Sequence, residues 1–266
     1  MREINRVKLF VNDNLKSKSV SDIVREKLLE NDFLIVDEDF DLGIAIGGDG
    51  AFLRMVTSSN FNSDCYYVGV NVGTLGFAQD VSVEAIDDFV REINLSTLKH
   101  EKIGIQEIEI RTKDSISKHF ALNEIVVRDK DLTVSKLEVK IDDSLLEEFV
   151  GDGLLVATSF GSTAYNYSLG GSIVYNTFHT LQITPIAPMN NKSYRNIVNS
   201  VIVPSNKIIS LIPKVNKRNL VITIDGANHV YDDVYQIETF IDKKIIKILR
   251  MNDYNFTKKI GDKFLR

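Results

Sequence analysis

The chain lacks most of what would tie it to a disulfide framework, a membrane or a nucleic acid. Its 266 residues contain one cysteine, Cys65. A single thiol excludes an internal disulfide network and any cysteine-rich metal site. It leaves Cys65 to be read as a small buried hydrophobe in a reducing compartment. No window reaches the ~18 consecutive apolar residues that a membrane span needs. The opening MREINRVKLFVND has neither an apolar core nor a small-residue cleavage site, so no signal peptide is expected and the expected location is cytoplasmic. Net charge is −5, and no Lys/Arg run is dense enough to neutralise a phosphate backbone, so nucleic acid is not an expected partner. Repeats, low-complexity tracts and Pro/Gly-rich linkers are also missing.

What remains is ordinary globular material, 44% hydrophobic and 26% charged, long enough for one large domain or two modest ones. Strand and helix signals alternate at first. VKLFV (7–11) reads as a strand, and Val20, Ile23, Val24 and Leu28 fall at helical spacing, with Ser19 as a candidate N-cap and Asn31 as a stop. FLIV (33–36) and LGIAI (42–46) are continuous apolar runs, as expected of strands covered on both faces. Helices are expected over 51–57 and from Ser82 to Ile93, with YYVGVNV (66–72) as a strand between them. That order predicts an α/β domain with a mainly parallel sheet over residues 1–97.

After about residue 98 the period changes to two. KIGIQEIEIR, LTVSKLEVKID, NLVITIDG, VYQIETFI and KIIKILR predict an all-β sandwich over residues 98–250. Within it, IDGAN (224–228) reads as a hairpin turn, because Asp-Gly suits a type I′ loop. The tail 251–266 places Phe256, Ile260 and Phe264 at helical spacing and is expected to pack back on the first domain.

The chemistry-bearing stretches sit at strand ends. In DLGIAIGGDGAFLR (41–54) an apolar strand runs into Gly47-Gly48-Asp49-Gly50 and then a helix. Glycines there let backbone N–H groups approach an anion, and the helix N-terminus adds partial positive charge. A carboxylate inside such a loop repels phosphate unless a cation compensates, and Arg54 lies one turn along the helix. A carboxylate beside a polyphosphate can instead accept a proton from an attacking hydroxyl. Neither the P-loop pattern nor G-x-G-x-x-G after a strand is present.

Three further stretches follow. NVGTLGF (71–77) again ends a strand with glycines. ALNEIVVRD (121–129) holds Asn123 beside Glu124, a pair suited to a sugar diol. GDGLLVATSFGSTAYNYSLGG (151–171) carries a second Gly-Asp-Gly, then Gly161-Ser162-Thr163 leading a short helix that Ser162 or Thr163 could cap. No Ser/His/Asp order and no metal-ligand spacing emerges. His100, His119, His179 and His229 are scattered and are read as surface or structurally satisfied residues.

Taken in this order, GGDG, NVGTLGF, ALNE, GDG and GSTAYNYSLGG resemble the NAD kinase family from residue 42 to about 205, and TPIAPMNN (184–191) extends the likeness. The resemblance implies transfer of the γ-phosphoryl of ATP to the 2′-hydroxyl of the adenosine ribose of NAD, with Mg²⁺. It also implies NAD in a crevice between an α/β domain and a β-sandwich, and a homotetramer. Carried onto this sequence, Asp49 is the general base, and Gly47, Gly48 and Gly50, with Arg54, form the phosphate loop. Phe77 lines the nucleotide pocket, Asn123 and Glu124 engage a ribose, and Asp152 binds at the nicotinamide end. Thr163, Ala164, Tyr165, Asn166, Tyr167 and Ser168 line the dinucleotide site, with Ala187 and Tyr194 near it.

The chain departs from the family's pattern at four places. Ala51 stands where a threonine is common, Val150 where an arginine often precedes Gly-Asp-Gly, Ser159-Phe160 where proline and a small hydroxylated residue are usual, and Ala227 where a polar side chain is frequent. Phe160 thereby offers an aromatic face that could stack on a base. Two other readings share some of these features. A lipid kinase shares GGDG but needs a route onto membranes, and no basic amphipathic helix is evident. A dinucleotide sensor without turnover shares the fold, and the intact Asp49 argues against it.

Overall fold

The computed structural model describes residues 3–73, 76–131, 133–214 and 219–265. The chain divides into two units, Met1–Ile103 with Ile245–Arg266, and Gly104–Lys244.

In the first unit the strands β1 (Arg6–Val11), β2 (Leu34–Ile35), β3 (Leu42–Gly47), β4 (Tyr66–Asn71), β5 (Lys99–Gly104) and β18 (Ile245–Arg250) form one sheet, ordered β2-β1-β3-β4-β18-β5. The pairs β1/β2, β1/β3, β3/β4 and β4/β18 are parallel. LGIAI forms the central strand β3, buried at every position, as its unbroken apolar run predicts. FLIV behaves differently. It contributes only the two-residue edge strand β2, with Leu34 62% exposed. Short apolar runs read alike in sequence whether a strand ends up central or at an edge.

The helices α1 (Leu15–Glu30), α2 (Asp49–Ser58), α3 (Ile86–Asn94) and α5 (Phe256–Phe264) complete this unit. Helix α1 begins earlier than its apolar spacing indicates. Asn14, not Ser19, is the cap, its Oδ1 accepting the Ser17 N–H at 2.8 Å, and Asn31 closes the far end. The first turn, LKSKS, is almost wholly polar, so hydrophobic periodicity is silent there. Cys65 is buried in this unit as a free thiol.

The second unit holds two six-stranded antiparallel sheets over a shared core. One contains β6 (Gln106–Thr112), β7 (Ile116–Ala121), β9 (Ser135–Ile141), β10 (Ser144–Gly151), β14 (Ile209–Pro213) and β17 (Val234–Phe240). The other contains β8 (Glu124–Asp129), β11 (Gly153–Thr158), β12 (Thr180–Ile186), β13 (Val201–Pro204), β15 (Leu220–Ile224) and β16 (Ala227–Tyr231). Alternate residues such as Ile108 and Ile110 from the first and Val127, Leu154 and Val156 from the second meet in one cluster. This is the consequence of period-two patterning on two facing sheets. Two stretches expected among the sandwich strands divide otherwise. KIIKILR becomes β18 beside β4, and KIGIQEIEIR splits into the end of β5 and the start of β6. The Asp225-Gly226 turn joins β15 to β16 with φ of 47° and 84°, as a type I′ hairpin requires.

Candidate active site

Helix α2 starts directly on the end of β3, with Gly48 at its N-cap and no side chain capping it. Its first N–H groups are therefore available to an anion. A Cβ on Gly47 would fall 2.9 Å from the Ala51 Cβ and 3.1 Å from the Asn12 Cβ, so the turn demands glycine at that position. An open cleft of about 260 Å³ lies across the carboxyl ends of β1, β3 and β4, lined by Asn12, Asn14, Gly47, Gly48, Asn71 and Gly73 among others. Ligands of open α/β sheets bind at this edge. Arg54 reaches it by donating from Nη2 to the Asn12 Oδ1 at 2.8 Å.

Asp49 is exposed at the first position of α2. Its carboxylate accepts the backbone N–H of Ala78 at 2.9 Å and of Phe77 at 3.2 Å, tying the GGDG turn to the segment after β4. Gly76 is the glycine this contact needs, since a Cβ there would lie 2.4 Å from the Asp49 Oδ1. Thr74 and Leu75 of the same motif lie outside the described residues. Phe77 turns its ring toward α5, with centroids 5.4 Å from Phe264 and 6.0 Å from Phe256.

Behind this segment lies a buried charge cluster that no sequence motif announces. Arg250 donates from Nη1 to Asp80 at 2.7 Å and from Nε to Glu101 at 2.9 Å, with its side chain and that of Asp80 almost fully buried. Lys259 of α5 pairs with Asp80 and donates to the carbonyls of Gln79 at 2.7 Å and Phe77 at 3.1 Å. Burial pulls the Lys259 ammonium below its ordinary range, against the opposing pull of Asp80. These partners are up to 182 residues apart in the chain, so spacing gives no signal of them.

In the second unit the candidate residues gather at the two ends of β11. At its start, Gly151 and Gly153 are set against backbone, with a Cβ on the former 2.9 Å from the Ala187 carbonyl and on the latter 2.5 Å from that of Val127. Asp152 is left exposed between them, its N–H donating to the Ile186 carbonyl at 3.0 Å. Ala187 adopts a left-handed φ of 45° just after β12. Val150 is buried and does not present a side chain.

At the other end, five residues or about 17 Å along the strand, lie Asn123, Glu124 and the GSTAYNYS segment. Thr158 holds the Asn123 turn by accepting nothing from it and donating twice, from its N–H to the Asn123 carbonyl at 2.8 Å and from Oγ1 to the Leu122 carbonyl at 2.6 Å. Gly161 packs so closely that a Cβ would meet the Asn123 carbonyl at 2.1 Å. The Asp225 carboxylate accepts the N–H groups of Leu122 and Asn123, each at 2.7 Å, and of Glu124 at 3.2 Å. Burial, with the charge of Asp225 adding to it, pushes the Glu124 carboxyl up to about 8. Burial likewise raises Asp225 to about 6, against the lowering effect of its three N–H donors.

The short helix α4 (Tyr165–Ser168) follows a 3-10 turn at Phe160–Thr163. Neither Ser162 nor Thr163 caps it. Ala164 occupies the N-cap without a side-chain bond, and Ser162 is instead bonded to Val174, accepting its N–H at 3.0 Å and donating to its carbonyl at 3.2 Å. Asn166 is fully buried, its amide donating to the Ser162 carbonyl at 3.2 Å and accepting from Thr184 Oγ1 at 2.6 Å. Tyr165, Tyr167 and Ser168 are exposed, while Thr163 and Ala164 are half-buried. Phe160 is buried, so its ring is part of the packing rather than an open face. His119 bonds the Tyr231 hydroxyl at 2.6 Å and packs at a tilt against His229, with ring centroids 4.9 Å apart, a structural role.

Comparison with known proteins agrees with these features. Residues 122–242 match the model of the ATP-NAD kinase C-terminal domain. A NAD kinase of Finegoldia magna is 39% identical over 268 residues, covering 97% of each chain. Among solved structures, a yeast NADH kinase complexed with NADH superposes with a TM-score of 0.85 at 21% identity, covering 98% of this chain and 87% of the other. An Archaeoglobus fulgidus NAD kinase in complex with ATP gives a TM-score of 0.75 at 20% identity over 97% of both chains. The GGDG turn on an α2 N-terminus, the paired sheets carrying Asn123-Glu124 and Asp152, and this near full-length identity together place the chain in the NAD kinase family of phosphotransferases.

Proposed function

We propose that this chain transfers the γ-phosphoryl of ATP to the 2′-hydroxyl of the adenosine ribose of NAD, giving NADP and ADP, with Asp49 as general base. The setting of Asp49 carries the chemical assignment. Its carboxylate stands exposed at the N-terminus of α2 and is oriented by the Phe77 and Ala78 N–H groups. A carboxylate offers about four lone-pair positions. With two engaged, it retains capacity to accept the hydroxyl proton as the new P–O bond forms. A loose phosphoryl-transfer transition state asks little more of a base. The exposed backbone of Gly48 and Gly50 at the α2 N-terminus, reached through the buried strand-end Gly47, suits the donor's phosphates together with Arg54.

Asn123 and Glu124 supply the amide and carboxyl that suit a ribose diol. Thr163, Ala164, Tyr165, Tyr167 and Ser168 line the dinucleotide from the same end of β11, Asp152 and Ala187 take its other end, and Asn166 acts by holding α4. Among the described residues no group of three or more His, Cys, Asp or Glu side chains converges. The Mg²⁺ we propose therefore arrives with ATP on its phosphate oxygens, and Asp49 is the carboxylate suited to meet it. When bound, the ion neutralises charge on the transferring group. We also propose a cytoplasmic homotetramer. The edge strands β7, β10, β13 and β16 support oligomerisation, because unpaired strand edges favour covering.

The test is incubation of the pure chain with ATP, Mg²⁺ and NAD. NADP formation supports the proposal. Tight NAD binding without product would mean a sensor, and phosphorylation of a lipid alone would mean a lipid kinase.

A further inference from the structure

The Asp225-Gly226 turn looks like simple hairpin punctuation, yet its carboxylate is spent on another part of the chain. Oδ2 accepts the Leu122 N–H at 2.7 Å, while Oδ1 accepts those of Asn123 at 2.7 Å and Glu124 at 3.2 Å. The link is reciprocal, since the Asp225 N–H donates to the Glu124 carbonyl at 3.1 Å. Thr158 holds the opposite side of the same turn through the Leu122 and Asn123 carbonyls. The backbone of Leu122–Glu124 is thus clamped from both sides, by a charge-assisted clamp on one of them. Beside it, Glu124 is 8% exposed and keeps Oε2 without a hydrogen-bond partner. Leaving a buried carboxyl oxygen unsatisfied is costly unless something else completes it.

We infer that Asp225 is a positioning residue for dinucleotide recognition: it presents Asn123 and Glu124 to the ribose and sets the electrostatic field in which Glu124 works. The inference rests on the NAD kinase reading above. Two effects of Asp225 are separable. Its oxygens fix the backbone, and its charge opposes ionisation of Glu124, adding to the larger effect of burial. Among the described residues Asp225 is the charged group that acts on Glu124, and the elements packed on it, β11 (GLLVAT), the adjoining 3-10 turn (FGST) and β15 (LVITI), carry no ionisable side chain. An ionised Glu124 is the better acceptor for ribose hydroxyls, so dinucleotide affinity rises as pH carries Glu124 through its titration.

The test is steady-state kinetics of Asp225→Asn and of the parent between pH 5 and 9, a range about one unit beyond the expected titrations of Asp225 and Glu124. Asparagine keeps the shape but has one acceptor oxygen and no charge. The expected result is a Michaelis constant for NAD raised roughly tenfold, the order of one weakened hydrogen bond to a charged group, with turnover and the ATP constant changed far less. The inflection in the NAD constant should also move to lower pH. A merely structural role would raise the constant and leave the inflection in place, which overturns the electrostatic part. A variant that behaves as the parent overturns the whole inference. If the variant does not fold, Glu124→Gln in the parent carries the test. Loss of the pH inflection supports the inference, and an unchanged inflection overturns it. A parent that neither binds NAD nor makes NADP removes the functional reading, and this inference with it.

Discussion

Asp49 and Ala78 are joined by a 2.9 Å hydrogen bond from the Ala78 N–H to the Asp49 carboxylate. One side chain therefore both faces solvent at the α2 N-terminus and anchors the segment that follows β4. Asp49→Asn removes the charge and one acceptor. Turnover should fall by about 10²–10⁴-fold, the usual contribution of a positioned acid–base group, while NAD dissociation measured by calorimetry changes little. Near-parental turnover in a folded variant would show that Asp49 is an anchor only.

Gly76→Ala tests the same contact from the other side. The added Cβ would meet Asp49 Oδ1 at 2.4 Å and Gln79 Oε1 at 2.0 Å. Both are side-chain ends, so the neighbours can give. The expected cost is about 1–3 kcal/mol in urea unfolding, with a larger proportional loss of turnover than of stability.

Arg250→Met leaves Asp80 buried with only Lys259 as counter-charge. Breaking a buried ion pair from one side costs about 3–5 kcal/mol, and chemical denaturation should read a loss of that order. A loss below 1 kcal/mol would mean that Lys259 alone satisfies the cluster.

Glu124 gives a pH signature to stability. Its ordinary value of 4.5 is displaced to about 8 in the folded unit, chiefly by burial. Between those limits the folded chain holds a proton that the unfolded chain has released. Its stabilising contribution is therefore fully present below about 4.5 and is lost as pH rises through about 8. Each unit is worth about 1.4 kcal/mol. Glu124→Gln should flatten the decline between pH 6 and 8 in thermal melts of the unliganded protein, and an unchanged slope would assign that decline to other groups.

Phe160→Ser separates packing from recognition. The side chain is buried, so truncation should destabilise by about 3–5 kcal/mol, as for other large core aromatics. A stable variant with a changed Michaelis constant for NAD would instead restore Phe160 to the ligand.

By itself the sequence determined the local geometry of this protein. LGIAI had to be a buried strand, because its apolar run leaves no polar face. Asp225-Gly226 had to turn, because only such residues accept two successive positive φ values readily. The GGDG turn and the exposed Asp152 between close-packed glycines were legible for the same reason, since missing side chains mark close backbone approach. Tertiary structure decided what depends on neighbours distant in sequence. Whether FLIV lay inside or at an edge, whether KIIKILR joined the sandwich or paired with β4, and which acids were buried together all turn on contacts that no local period encodes. The Asp80–Arg250–Lys259 cluster and the grip of Asp225 on Leu122–Glu124 are of that kind. Their energies come from burial and from partners more than a hundred residues away, and a charged residue looks the same in sequence whether water or protein surrounds it.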